Sequence, residues 1–290
     1  MIRTKMLLPL SLVSIVAGSA AAVAQDGYVG LSFGQYDATN NPEDPGDPTR
    51  SGRSTTIDGL YRWALGPGAL VLEGSYRDDD ITNDIMFGTA MTTQSHLAAH
   101  YIYNLGSAAT VSGFLGYGSA PHDDPDEDFE VVYGGIGGSF APSQMVAVYG
   151  QLGIGSAPND DTTDSFGFSG GEFARLGVSY TGFAGTALSL EYERGFSDNY
   201  EDEGETGSFA SIGLNGVTAL AANPAFQITY GARKAFFDAT DDNNRVDEVT
   251  ASLGIRFVLG GKAPGDYARE GVLGSPYIPL RASNWTPALD

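Results

Sequence analysis

The sequence predicts an all-β fold: a transmembrane, antiparallel, up-and-down β-barrel of about twelve strands. Three observations predict it. Glycine and aromatic residues are abundant, with 40 Gly, 15 Tyr and 15 Phe in 290 residues, against a usual glycine share of ~7%. Apolar and polar residues alternate with period 2 over segment after segment. The connections alternate as well, a short polar turn followed by a long acidic loop.

The first segment stands apart. Arg3 and Lys5 precede an apolar run from Met6 to Ala22, and Ala22-Val23-Ala24 fits a small-x-small cleavage site. This is the pattern of a secretory signal peptide over 1–24, with Gln25 the first mature residue; the run is short for a membrane anchor. No later window holds 18 uninterrupted apolar residues, so no second helical span is expected. The chain has no cysteine and therefore uses no disulfide, although it leaves the cytoplasm. Lys+Arg number 15 against 36 Asp+Glu, a net charge of −21, and the leader removes two more basic residues. Such a balance argues against a nucleic-acid partner, which needs a basic patch. It favours a surface that gathers cations.

From there the period-2 pattern places strands near 26–38, 54–65, 69–78, 93–105, 108–119, 128–141, 145–157, 170–182, 186–198, 206–220, 225–238 and 246–259. The alternation is clean in several. Leu70, Leu72 and Tyr76 share one face and Glu73, Ser75 and Arg77 the other. Leu188, Leu190 and Tyr192 oppose Ser189, Glu191 and Glu193. The weaker patterning of 128–141 and 206–220 leaves ten to fourteen strands open. Short turns fall near 66–68, 106–107, 142–144, 183–185 and 221–224. Long loops fall near 39–53, 79–92, 120–127, 158–169, 199–205 and 239–245, and most of the acid lies in or beside them, as in Asp78-Asp79-Asp80 and Asp241-Asp242.

A meander this long without helices must pack on itself or close. In lipid every backbone group must be paired, so an all-β span has to be a closed barrel. The strands reach the ~9–11 residues that a crossing needs. With the short turns set at the periplasm, Tyr61, Trp63, Tyr101, Tyr103, Phe140, Tyr180 and Phe257 fall low on the apolar faces. Tyr76, Tyr117, Phe196 and Phe236 fall high. Two outward aromatic girdles follow, one for each membrane interface. Residues 25–259 are thus the barrel, with extracellular loops and both termini periplasmic.

In architecture, residues 26–259 resemble the bacterial outer-membrane β-barrels of the porin-like group. One short motif adds to the resemblance. Ser252-Leu253-Gly254-Ile255-Arg256-Phe257-Val258-Leu259 is similar to the assembly signal in the last strand of such barrels. The resemblance implies recognition by the barrel-assembly machinery through Gly254, Phe257 and Leu259, a setting in outer-membrane lipid and lipopolysaccharide of a Gram-negative bacterium, and either a monomer or a homo-oligomer. The copy departs from the family pattern in its small first residue, Ser252, and in the residues that follow it. That tail, 260–290, is rich in Pro and Gly (Lys262-Ala263-Pro264-Gly265, Gly274-Ser275-Pro276). Its irregular composition predicts a periplasmic extension with little regular structure, the alternative being a plug folded back into the barrel.

No motif carries covalent chemistry. None of His96, His100 and His122 has a Ser two residues on, so the pattern of an outer-membrane phospholipase is absent. His122 beside Asp123 has the ingredients of a surface hydrolase, in a segment crowded with acids. His96 and His100 lie four apart on one strand face, over ~13 Å along the backbone, and read as polar lumen residues. The acid clusters do not match the calcium-loop spacing. The expectation is no enzyme, no metal and no cofactor.

By parity the interior carries Asp58, Arg62, Glu73, Arg77, Arg175, Glu191, Glu193, Arg233, Glu248 and Arg256, a lining of both signs. The function expected is a narrow channel for passive diffusion of small polar solutes or ions, cation-preferring because of its acidic rim. The alternatives are a non-transporting structural or adhesive barrel, and a hydrolase at His122.

Overall fold

Period-2 strands that bury one face must find a partner for every edge, and here the sheet does so by closing on itself. The structure is a computed structural model and describes residues 25–40, 49–83, 93–120, 129–156, 170–197, 206–239 and 245–277. The strands are β1 (Gln25–Asn40), β2 (Thr49–Leu65), β3 (Gly68–Asn83), β4 (Thr93–Asn104), β5 (Ala109–Ala120), β6 (Phe129–Phe140), β7 (Val146–Ser156), β8 (Gly170–Phe183), β9 (Thr186–Ser197), β10 (Gly207–Leu220), β11 (Asn223–Ala239) and β12 (Arg245–Leu259). Each pairs antiparallel with its sequence neighbours, and β1 pairs β12 from Gly27↔Leu259 to Asn40↔Val246, which closes the barrel. Twelve strands is the count that the sequence pattern gave, and 128–141 and 206–220 are full members.

The two faces differ as the alternation requires. Outward side chains are apolar and exposed, for example Leu115 at 63%, Ile136 at 66% and Leu176 at 61%. Each would cost ~1.5–3 kcal/mol to hold in water but nothing in hydrocarbon. Tyr101, Tyr103, Phe140, Tyr180 and Phe257 are exposed toward the short-turn end, and Tyr117 and Phe196 toward the other. Among the described residues no helix is long and apolar enough to cross a membrane, so any crossing is made by strands. The short turns are those expected; Gly66 and Gly185 hold φ of 57° and 70° in two of them.

Glycine has a packing role inside. A Cβ on Gly116 would lie 2.2 Å from the Tyr133 ring, and one on Gly177 would lie 2.3 Å from the Tyr149 ring. These are directly opposed pairs, Gly116↔Tyr133 and Gly177↔Tyr149. The missing side chains make the room in which inward aromatics lie flat against the wall.

The tail is the correction. Gly260 and Gly261, at φ 77° and 71°, reverse the chain at the end of β12. Residues 262–277 then run back into the barrel, where a periplasmic extension was expected, and 278–290 lie outside the described residues. The segment holds one short helix, α1 (Asp266–Arg269), and is otherwise irregular, as its composition implied. Val272 packs with Leu60, Val71 and Ile102, and Tyr277 packs on a cluster that includes Phe209, Phe237 and Val246. Little apolar surface is needed to hold it, because the lumen wall offers donors and acceptors to its backbone.

Candidate functional site

The ten charged residues read from parity are all buried or half-buried in the barrel. Most of them meet each other or the tail. Arg175 is the hub. It lies on β8 beside β9 in the register Arg175↔Glu193. Its guanidinium reaches Glu191 at 2.7 Å and Glu193 at 3.3 Å. Arg233 on β11 reaches Glu191 at 2.9 Å from the other side, and the Tyr149 hydroxyl donates to Glu191 at 2.7 Å. Two carboxylates are thus held by two guanidiniums and a phenol, which is what burial of charge demands. Arg77 pairs with Asp79 at 2.7 Å. Arg62 pairs with Asp26 at 2.9 Å, and Lys262 and Glu270 of the tail complete that cluster at 2.5 Å from each other.

The tail is tied to this wall by polar bonds. Arg175 donates to the Leu273 carbonyl at 2.8 Å and Gln151 to the Gly274 carbonyl at 3.1 Å. Gln227 donates to the Lys262 carbonyl at 3.1 Å. The Tyr277 amide donates to Glu193 and its hydroxyl to Glu248, both at 2.9 Å, while the Arg233 guanidinium lies 4.4 Å from its ring centre. Burial pushes the pKa of the Tyr267 hydroxyl above its ordinary value.

The two histidines are brought together through a third residue. Glu73 on β3 stands opposite Ala98, midway between His96 and His100 on β4. Its Oε1 lies 3.2 Å from His100 Nε2 and 3.6 Å from His96 Nε2. Ser275 of the tail donates to the same oxygen, accepts from the Tyr133 hydroxyl at 2.7 Å and lies 2.9 Å from His96 Nε2. Because the single hydroxyl proton of Ser275 goes to Glu73, His96 must donate through Nε2. Serine, histidine and carboxylate are all present, but the wiring is not that of an activated nucleophile. The carboxylate accepts the serine hydrogen bond directly, and the other ring nitrogen of His96 faces Ser75 at 3.4 Å. Ser275 is an anchor of the tail. His122, Asp123 and the acidic loops at 121–128, 157–169, 198–205 and 240–244 lie outside the described residues.

The tail does not fill the lumen evenly. A cavity of about 200 Å³ remains on the side formed by β10, β11, β12, β1 and β2. Ser32, Asp58, Asn215, Thr229, Ser252 and Arg256 line it, with Tyr28. Asp58 and Arg256 were among the residues expected from sequence; the hydroxyls and the amide were not. Nor were the inward aromatics Phe114, Phe173, Phe209 and Phe237, which form a buried cluster with Tyr133. Their positions in the period-2 pattern were the signal that placed them inside.

Among solved structures the chain is similar to an outer membrane channel from Pseudomonas putida F1, with a TM-score of 0.64, 12% identity, and coverage of 83% of this chain and 97% of that one. The fold is one found in outer-membrane channels. The translocator domain of the autotransporter NalP from Neisseria meningitidis superposes with a TM-score of 0.47 at 13% identity, covering 86% and 93% of the two chains. The KdgM porin gives 0.46 at 9% identity, covering 78% and 98%. No family model matches the sequence, and no curated protein sequence matches it. Gly254, Phe257 and Leu259 lie on β12, with Phe257 exposed on the outer face.

Proposed function

We propose that the protein is an outer-membrane channel for passive diffusion of small polar solutes, set in a Gram-negative outer membrane with its acidic loops outside. The observation that carries this reading is the polar cavity that remains in the lumen. A barrel whose interior only served as a core would close that space, since well-packed interiors leave few voids larger than a water molecule. In this reading solutes pass along the wall around Asp58 and Arg256. The width of the passage sets a limit on solute size, and the net negative charge of the chain raises the local concentration of cations.

The test is single-channel recording of the refolded mature protein in a planar bilayer, with a salt gradient. Small, discrete steps with a cation-selective reversal potential are expected. A neutral or anion-selective reversal potential would remove the cation preference and leave the channel.

A second reading has its own observation. The segment from Lys262 to Tyr277 crosses the lumen with bonds to β3, β7, β8, β9, β11 and β12, as it would in a barrel that conducts nothing. A silent bilayer, with insertion confirmed by heat-modifiable gel mobility, would select this reading.

A further inference from the structure

The interior charges fall into two groups. Arg62, Arg77, Arg175 and Arg233 each hold a carboxylate at 2.7–2.9 Å, and Glu73 is flanked by His100 and His96. Asp58 and Arg256 form no ion pair within 4.0 Å among the described residues. Yet they stand in one rank. Gly30 on β1 pairs with Asp58 on β2 and with Arg256 on β12, so the acid and the base flank a single glycine, with about 10 Å between their Cα atoms.

Asp58 accepts a hydrogen bond from the Tyr28 hydroxyl and feels the charge of Arg256 without a direct ion pair. Arg256 spends its Nε on Gln227 Oε1, at 2.8 Å. Its guanidinium lies beside two rings, 4.9 Å from the Tyr28 centre and 5.7 Å from that of Tyr267 in the tail. Those contacts fix its plane and leave the two terminal nitrogens as donors. The carboxylate of Asp58 leans over the glycine: a Cβ on Gly30 would lie 2.6 Å from its Oδ1. The notch thus depends on the absence of a side chain. Both charged groups face the cavity of about 200 Å³, and Ser32, Ser252 and Asn215 supply neutral donors and acceptors around them. Opposite charges inside a protein are expected to meet each other or a ligand. A gap between them, with hydrogen-bonding walls, fits a small molecule that carries both signs.

We propose that the Asp58–Gly30–Arg256 notch is a binding site for small zwitterions of the α-amino-acid type. Arg256 receives the carboxylate through its planar pair of N–H donors, and Asp58 accepts from the ammonium. The proposal deepens the channel reading and names the class of solute that its path selects. Other small polar solutes cross at rates set by size; zwitterions are held on the way.

The experiment compares four probes of nearly one size. Glycine carries both charges, glycinamide only the ammonium, glycolate only the carboxylate, and glycolamide neither. Binding to the refolded full-length protein in detergent micelles is measured by saturation-transfer NMR. Glycine is expected to bind about tenfold more tightly than either singly charged probe, since each lost contact is a charge-assisted hydrogen bond. In Asp58→Asn the advantage of glycine over glycolate disappears. In Arg256→Gln its advantage over glycinamide disappears. Heat-modifiable mobility confirms that both variants fold. Equal binding of the four probes, or a glycine preference that survives both substitutions, overturns the site. Proteoliposome flux of glycolamide separates this result from the channel reading. Glycine binding without glycolamide flux keeps the site and rejects the channel. Flux without a glycine preference keeps the channel and rejects the site.

Discussion

The side of the lumen centred on Arg175 and the side centred on Gly30 are built from the same alternating strands, yet they treat charge in opposite ways. Around Arg175 every carboxylate is held by a neighbour, and the tail adds its own donors and acceptors to a network that is already neutral. Glu191 keeps Arg175, Arg233 and Tyr149 whether or not the tail is present. Glu73 likewise keeps His100. Around Gly30 the two charges line a cavity, each with only neutral groups bonded to it among the described residues, Tyr28 to Asp58 and Gln227 to Arg256, and the residue between them is a glycine. The first side is organised as a seat for a segment of the chain itself. The second is organised as a surface for something that comes and goes.

The sharpest way to break this comparison is to remove the seated segment. Ending the chain after Leu259 is expected to raise single-channel conductance several-fold while leaving an intact barrel, because the wall charges stay paired without the tail. Unchanged conductance would show that the path beside Gly30 is already the whole path. Next in size is Arg175→Leu, which leaves Glu193 without its nearest cation. Urea unfolding in micelles is expected to show a loss of about 3–5 kcal/mol, the cost of an unpaired buried charge. Ser275→Ala removes one hydroxyl that serves Glu73, Tyr133 and His96. A loosening of the tail by about 1–3 kcal/mol is expected, read as faster amide exchange over 262–277 with little change in the strands. Smallest is Arg256→Gln on the other side. It is expected to reduce the unfolding free energy by less than about 1 kcal/mol, since no carboxylate is ion-paired with Arg256 among the described residues. A loss as large as that of Arg175→Leu would erase the distinction between the two sides.

Much of this was legible in the sequence, and the limits have physical causes. Strand positions followed from period-2 alternation, because each strand has one face in lipid and one in the lumen. Parity also put the ten charged residues inside. The tail escaped because its order comes from partners far along the chain: Ser275 meets Glu73 at a separation of 202 residues, and no local pattern encodes that. The link between the two histidines through Glu73 was not legible for a related reason. His96 and His100 are far apart along β4, but the register with β3 sets Glu73 between them. The long connection between β3 and β4 does not fix that register, as a tight turn would. The cavity was invisible because it is lined by five strands, β10, β11, β12, β1 and β2, whose meeting no local pattern encodes.

The closing seam has a kinetic consequence. The tail begins where β12 ends, and β12 is the strand that pairs with β1 to complete the ring. The lumen that the tail occupies does not exist until that pairing forms, and the partners of the tail are spread over strands on all sides of it. Its bonds are therefore made after closure, and form no part of a transition state at or before that step. Interactions absent from a transition state slow the reverse reaction and leave the forward one alone. The tail acts as a latch in time as well as in space: it adds nothing to how fast the barrel assembles and lengthens how long it stays closed.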